Sequence, residues 1–204
     1  MAQLTALYER ERARLITLQT PDAPDGEYAR PVFGGGCASP KLLFVGEAPG
    51  AEETRYEKPF VGKAGRQLDE LLTLMGVSRE EIYITNVVKY RPVVRGQRSV
   101  RNRTPSPREI DGGLPLLLEE ILLLKPAFIA TLGNTPLSAV QKLAGLPRVS
   151  IGELHGKPQS AVISGLAVTL FPLYHPASGI YNRSLVAVMQ QDASKLRENL
   201  VKGL

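Results

Sequence analysis

Four short apolar segments, each followed by a stretch with helical periodicity, restrict the fold of this chain more than any other feature. The predicted strands span residues 41–45, 82–85, 128–132 and 166–170. The predicted helices span residues 3–18, 65–75, 107–124, 135–143 and 184–201. Strands that alternate with helices of about ten or more residues are joined by crossover connections. The sequence therefore predicts an α/β fold with a short, mainly parallel, four-stranded sheet that helices cover on both faces.

The length of the chain favours one domain. Its 204 residues suffice for one sizeable core, and the sequence contains no repeat, low-complexity tract or linker that would divide it. Residues 20–40 are rich in proline and glycine, so this segment is predicted to be irregular. We therefore expect a single domain over residues 1–204, in which residues 1–40 form an N-terminal helix and an irregular segment packed on the rest.

Several classes of protein are excluded by the sequence. No apolar run approaches the roughly 20 residues of a membrane span, and the first residues lack the pattern of a signal peptide. A single cysteine, Cys37, rules out an internal disulfide and any site that needs four cysteines. Neither a dinucleotide-binding nor a phosphate-binding glycine motif occurs, and metal-ligand spacings and a serine nucleophile motif are also absent. These features favour a cytoplasmic protein.

Positive charge is concentrated in one part of the chain. The net charge is +5, and residues 89–108 contain no acid but the following basic residues: Lys89, Arg91, Arg95, Arg98, Arg101, Arg103 and Arg108. Such a segment is either a surface that binds phosphates or a mobile, solvated loop. The sequence alone leaves both interpretations open.

Unusual polar residues follow the predicted strands. In open parallel sheets, ligands bind beyond the carboxyl ends of the strands. The residues at these positions are Gly46-Glu47-Ala48-Pro49-Gly50, Asn86, Gly133-Asn134 and Tyr174-His175-Pro176-Ala177. The sequence therefore predicts a ligand site at this edge of the sheet, where Gly46 and Gly50 would allow a close approach of the backbone.

Three side chains near these strand ends have both a functional and a structural interpretation. Asn86 could be a turn or capping residue, or its amide could pair with the O4 acceptor and N3–H donor of uracil. His175 could be structural, or it could donate a hydrogen bond to an oxygen that gains negative charge. Phe60 could belong to the core, or it could be a platform on which a base stacks. For His155, in a predicted loop, the structural interpretation is favoured.

Five segments, in order, resemble the uracil-DNA glycosylase superfamily, most closely its family-four type: GEAPG, PFVGKAG, YITNVVK, NRTPSP and YHPAS. They extend over residues 41–177, which is most of the chain. Each segment alone is weakly specific, but the ordered set is highly specific. The resemblance implies a three-layer α-β-α sandwich that flips uracil out of DNA and cleaves its N-glycosidic bond.

The resemblance also implies roles for individual residues. Glu47 would contact the base or the attacking water, Phe60 would stack on the flipped base, and Asn86 would read uracil. His175 would donate to uracil O2, while Gly46 and Ala48 would line the base pocket. The predicted DNA contacts are Lys89, Arg91, Arg101, Arg103, Ser178, Ile180, Tyr181 and Arg183, with Ile180 or Tyr181 as the wedge that enters the duplex.

Two departures from the family-four pattern affect the prediction. That type usually carries an iron-sulfur cluster on four cysteines, whereas Tyr90 and Gly113 stand at the two later ligand positions here. We therefore expect no cluster and no other cofactor or metal. The acidic pair that usually follows GEAPG is Glu53-Thr54, so one carboxylate is lost. The basic loop contains no histidine, which argues against covalent trapping of the sugar.

The expected activity is that of a monofunctional glycosylase acting as a monomer on uracil-containing DNA, with no membrane partner. His175 would stabilise the uracil anion, and Glu47 or Glu53 would balance the positive sugar, with Glu53 also activating water. Three alternatives remain. The chain could be a weakly catalytic lesion-binding protein, a protein that handles free nucleotides, or a glycosylase that prefers another deaminated base such as hypoxanthine.

Overall fold

A six-stranded sheet forms the centre of the computed structural model, which describes residues 2–17, 30–96 and 99–202. Its strands are β1 (Gly35–Gly36), β2 (Leu42–Gly46), β3 (Ile82–Asn86), β6 (Phe128–Leu132), β7 (Gln159–Ile163) and β8 (Leu166–Leu173). They lie in the order β1-β3-β2-β6-β8-β7. The four central strands are parallel, and the two edge strands are antiparallel to their neighbours. These four central strands are the ones that the apolar runs predict.

The prediction of only four strands is wrong, because the sheet has a short strand at each edge. β1 consists of two glycines that lie inside the segment predicted to be irregular, and it pairs with β3. β7 pairs with β8 through a two-residue turn in which Ser164 and Gly165 both have positive φ angles, +47° and +85°. Two successive positive φ angles are typical of the type I′ hairpin turn. The Ser-Gly pair between two apolar runs was therefore the available sequence signal.

Helices cover both faces of the sheet, as predicted. They are α1 (Ala2–Thr17), α2 (Ala51–Tyr56), α3 (Lys63–Met75), α4 (Pro107–Leu124), α5 (Asn134–Leu143), α6 (Ile151–Leu154), α7 (Ser178–Tyr181) and α8 (Ser184–Lys202). Apolar side chains of α1, α4 and α5 pack on one face, and those of α3 and α8 pack on the other. The three-layer α-β-α arrangement is thus confirmed.

Alternation along the strands explains why both faces are apolar. In β2, Leu43 and Val45 face the α1/α4/α5 layer, whereas Leu42 and Phe44 face the α3/α8 layer. Successive side chains of a strand point to opposite faces, so a strand between two helical layers is apolar at most of its positions. All five residues of β2, β3 and β6 are buried.

Local sequence signals set the start of α4 close to the site. Ser106 caps the helix by accepting the Glu109 N–H at 3.3 Å, and the Glu109 carboxylate accepts the Ser106 N–H at 2.7 Å. This reciprocal pair, with Pro107 at the first helical position, is a capping box. The helix therefore begins where the basic segment ends.

Part of the basic segment forms a second, two-stranded sheet, which the sequence did not predict. β4 (Val93–Arg95) pairs with β5 (Val100–Asn102) in an antiparallel hairpin. Arg98 lies outside the described residues, as do residues 20–29 of the segment predicted to be irregular. The hairpin returns the chain to the edge of the sheet where β2, β3 and β8 end.

Candidate active site

A pocket of about 310 Å³ lies at the carboxyl ends of the central strands. The predicted site residues that line it are Ala48, Glu53, Phe60, Asn86 and His175. They come from the segment after β2, from the end of β3 and from the segment after β8, as expected for the carboxyl edge of a parallel sheet. The structure therefore brings together side chains that lie up to 127 positions apart in the chain.

Asn86 has an amide oxygen without a hydrogen-bond partner. The residue ends β3 and is 2% exposed, and Oδ1 forms no hydrogen bond with any described residue. A buried polar atom without a partner is unfavourable and occurs seldom in folded proteins. The pocket beside it supplies the place where a ligand with an N–H donor could satisfy this oxygen.

Gly46 makes room for the other groups of the pocket. It lies opposite Asn86 in the pairing of β2 with β3. A Cβ at this position would collide with Asn86 Oδ1 and would lie 2.7 Å from the Phe60 ring. The absence of a side chain at position 46 therefore lets the amide and the aromatic ring approach the same point.

Phe60 occupies the pocket in a strained backbone conformation. Its φ angle is +53°, which a non-glycine residue adopts at a cost of about 1–3 kcal/mol. The carbonyl oxygen of Phe60 accepts a hydrogen bond from Arg79 Nη2 at 2.6 Å, and Gly65 lies so close to it that any Cβ there would overlap. The ring centre lies 6.2 Å from that of His175. These contacts hold the ring at the pocket. Gly65 ends the PFVGKAG segment of the resemblance, whereas no sequence pattern indicated Arg79.

Glu53 connects the two loops that border the pocket. Its Oε1 accepts from the backbone N–H groups of Val61 at 3.1 Å and Gly62 at 2.8 Å. Its Oε2 accepts from the N–H of Gly50 at 3.1 Å. With three backbone donors on one carboxylate, the geometry favours a positioning role over the water-activating role that the sequence suggested.

His175 is neutral and has a defined tautomer. Its Nδ1 accepts the backbone N–H of Ala177 at 3.2 Å, so the ring proton is on Nε2. Burial lowers the pKa of this imidazole below its usual 6.5, and the charge of Glu53 opposes that shift only in part. His175 therefore offers a neutral Nε2–H donor whose presence does not depend on protonation near pH 7.

Acidification should destabilise the protein through His175. The pKa of His175 is lower in the folded protein than the unfolded value of about 6.5, so between these two values the unfolded chain binds more protons. The contribution of neutral His175 to the free energy of unfolding is therefore fully present above this window and is lost as the pH falls through it. The measurement is urea unfolding at pH 7.5 and 5.5 for the wild type and for His175→Asn. We expect the wild type to lose more stability on acidification than the variant. Equal losses would contradict the shift.

A second, wider groove adjoins the pocket. It has a volume of about 700 Å³ and shares Ala48, Asn102 and His175 with the pocket. Glu47 lines this groove rather than the 310 Å³ pocket, and it is partly buried. Asn102, at the end of β5, accepts a hydrogen bond from Arg91 Nε at 2.6 Å. The sequence did not identify Asn102 as a lining residue, because the hairpin that carries it was unrecognised.

The predicted DNA contacts differ in their availability. Lys89 is 3% exposed and forms an ion pair with Glu120, so the prediction that it contacts DNA is wrong. Arg103 binds the Glu109 carboxylate through two nitrogens, at 2.6 and 2.8 Å, and these bonds lower the pKa of Glu109 to about 2. Arg101 and Arg183 are exposed.

The segment after His175 forms a single helical turn, α7, next to the groove. Ser178 lines the groove, while Ile180 and Tyr181 project outward with 44% and 89% exposure. The wedge role that the resemblance implies for Ile180 or Tyr181 stays a prediction.

The iron-sulfur cluster of the family-four type does not fit this chain. A Cβ at Gly113 would overlap the carbonyl oxygen of Val87, so no cysteine side chain has room there. Tyr90 packs against the core instead of offering a thiolate, and Cys37 is the single cysteine. Among residues 2–17, 30–96 and 99–202, no group of three or more His, Cys, Asp or Glu side chains is arranged to bind a metal ion.

Within the described part of the chain, every helix is too short or too polar to cross a membrane.

Comparison with known proteins identifies a family. The sequence model of the uracil DNA glycosylase superfamily matches residues 33–200. A type-4 uracil-DNA glycosylase from Saccharolobus solfataricus is 38% identical over 170 residues, which cover 83% of this chain and 76% of the relative. One from Pyrobaculum aerophilum is 40% identical and covers 74% of each chain. One from Thermotoga maritima is 38% identical and covers 84% of this chain and 83% of the relative.

Proposed function

The chain belongs to the uracil DNA glycosylase superfamily, and from this membership we propose that it releases uracil from DNA by hydrolysing the N-glycosidic bond. The product is an abasic site. One observation supports the assignment to this pocket: the buried Oδ1 of Asn86, which has no hydrogen-bond partner in the described part of the chain, lies beside the Phe60 ring and the neutral His175.

Asn86 supplies the recognition of uracil. Its Oδ1 accepts the N3–H of the base, and its amide N–H donates to O4. Cytosine presents a donor at position 4 and an acceptor at position 3, so it would leave this buried amide mispaired. Phe60 stacks on the base, a contact worth about 1–3 kcal/mol.

His175 supplies the stabilisation of the leaving group. As the glycosidic bond breaks, negative charge develops on uracil O2, and the Nε2–H of His175 donates to that oxygen. A fixed donor in a dry pocket needs no reorganisation when the charge appears, so it stabilises the transition state more than the bound substrate. Water is the nucleophile, and the DNA phosphates together with the Glu47 carboxylate balance the positive sugar.

Surface groups around the groove bind and open the duplex. Arg101 and Arg183 contact phosphates, while Ile180 or Tyr181 enters the base stack where the nucleotide leaves. Extrusion of a base requires a few kcal/mol, which these contacts offset. The protein acts as a single-domain monomer in the cytoplasm. It carries no iron-sulfur cluster, because the positions of Tyr90 and Gly113 cannot supply cluster ligands.

A labelled oligonucleotide with one uracil tests the proposed function. After incubation and alkali, we expect strand breaks at uracil but not at cytosine or thymine in the same position. Asn86→Ala should reduce cleavage at least about tenfold, because it removes a fully desolvated pair of hydrogen bonds. Asn199→Ala is the matched control, since Asn199 lies near the end of α8 and its amide donates to the Lys195 carbonyl of the same helix.

The same assay separates the alternatives. Cleavage at hypoxanthine that exceeds cleavage at uracil would overturn the choice of base. Salt-sensitive binding to uracil-DNA without cleavage at any deaminated base would overturn the hydrolytic assignment and leave a lesion-binding protein.

A further inference from the structure

We propose that the buried Lys89–Glu120 ion pair is a positioning device for Asn86, completed by Tyr8 of the N-terminal helix. The inference rests on the proposed function, because it assigns Asn86 the reading of the base. It replaces the DNA contact predicted for Lys89 with a role on the inner side of the pocket.

Lys89 reaches back along the chain to the end of β3. Its Nζ donates to the Asn86 carbonyl oxygen at 2.5 Å, to Thr85 Oγ1 at 2.6 Å and to Glu120 Oε2 at 2.6 Å. All three ammonium protons are therefore used. One of them fixes the main chain of Asn86, whose side-chain Oδ1 has no hydrogen-bond partner among the residues that the structure describes.

Glu120 compensates the buried charge and links it to two other elements. It is fully buried in α4, and its Oε1 accepts from Tyr8 Oη of α1 at 2.6 Å. Thr85 Oγ1 also donates to this carboxylate, at 3.0 and 3.1 Å. Tyr8 and Tyr83 share a further hydroxyl bond of 2.6 Å. A continuous network therefore runs from α1 through α4 to the pocket.

Burying the charge of Lys89 costs free energy, and a purely structural contact would not require a charge at this position. Burial lowers the pKa of Lys89, while the charge and hydrogen bonds of Glu120 oppose that shift. Apolar residues can often replace a buried ion pair without loss of stability. Apolar side chains cannot donate a hydrogen bond to the main-chain carbonyl of Asn86. In the proposed device, this bond sets the position of the Asn86 side-chain amide.

Lys89→Met tests the device, because methionine keeps the apolar stem and removes the ammonium group. We expect the single-turnover rate of uracil release to fall at least tenfold, while the Kd for DNA stays within twofold and its salt dependence is unchanged. Lys142→Met is the matched control, since Lys142 forms an exposed ion pair with Asp111. Weaker DNA binding with a reduced salt dependence would assign Lys89 to DNA and overturn the proposal.

A double-mutant cycle distinguishes positioning from general destabilisation. In the Asn86→Ala background, Lys89→Met should reduce the rate by less than twofold further, because the amide it positions is gone. The melting temperature should fall by the same amount in both backgrounds. A full tenfold loss of rate in the Asn86→Ala background would overturn the proposal.

An NMR readout tests the device even if the protein releases no uracil. The side-chain NH₂ signals of Asn86 are identified by their absence in Asn86→Ala. We expect them to shift and broaden in Tyr8→Phe and in Lys89→Met, whereas the NH₂ signals of Gln141, which bonds to Val149, stay unchanged. Tyr8→Phe removes one hydroxyl and serves where Lys89→Met does not fold. Unchanged Asn86 signals in Tyr8→Phe would overturn the role of the N-terminal helix. Unchanged Asn86 signals in Lys89→Met would overturn the role of the ion pair.

Discussion

His175→Ala is expected to slow uracil release by about 100- to 1,000-fold, the loss that follows removal of one fixed donor from a charge-stabilising site. The imidazole supplies its Nε2–H because Nδ1 accepts the Ala177 N–H. Single-turnover cleavage of a uracil oligonucleotide measures the effect. The Kd for DNA should change little, since the donor acts mainly when charge develops on the base.

Two further variants make this result specific. His175→Gln retains an N–H donor on a side chain of similar reach, so its rate should lie between those of the wild type and the alanine variant. His155→Ala removes the other histidine, which binds Asp192 at 2.7 Å and packs on Tyr174. It should lower the melting temperature but keep the rate within about threefold at 25 °C, as expected for a group outside the reacting atoms. A fast His175→Ala enzyme would contradict the assigned role.

Gly46→Ala should abolish most of the activity without unfolding the protein. A Cβ at this position collides with Asn86 Oδ1 and approaches the Phe60 ring within 2.7 Å, so both must move. Misplacement of reacting or recognising groups by about 1 Å can lower a rate about 100-fold. Overpacking should reduce the free energy of unfolding by about 1–3 kcal/mol.

Gly112→Ala is the matched control for this substitution. Gly112 is exposed in α4, and a Cβ there meets nothing within 4 Å. Alanine in an exposed helix is more stable than glycine by up to about 1 kcal/mol, so this variant should be slightly stabilised and fully active. A Gly46→Ala enzyme as active as Gly112→Ala would show that the pocket tolerates a methyl group at position 46.

The central strands could be predicted because their burial leaves a simple pattern. A strand covered on both faces is mostly apolar, as in Phe128–Leu132, where Thr131 is the one polar residue, and its boundaries follow from the polar residues beside it. The edge strands are only partly covered and carry no such pattern. Gly35–Gly36 has no side chains to read, and the polar residues of Gln159–Ile163 are those of an exposed edge.

The site could be predicted only in part, because sequence gives the type of a residue but not its partners. Asn86 and His175 follow strands and therefore meet at one edge of the sheet. Lys89 belongs to a basic segment, and nothing in that segment indicates that its charge points inward to Glu120, 31 residues away. The bonds of Glu53 to the Val61 and Gly62 backbone depend on loop geometry, which local propensity does not determine.

The hydrogen bond from the Ala177 N–H to Nδ1 of His175 also affects how readily different bases are released, because it leaves the imidazole proton on Nε2. With its single proton on Nε2 and its Nδ1 accepting the Ala177 N–H, the neutral imidazole is a poor acid, and the base departs as an anion rather than as a neutral molecule. The rate must then follow the acidity of the departing base at N1. An electron-withdrawing substituent such as fluorine at C5 should hasten departure, and an electron-donating one should delay it. Discrimination among damaged bases thus rests on their chemistry as leaving groups as well as on their shape.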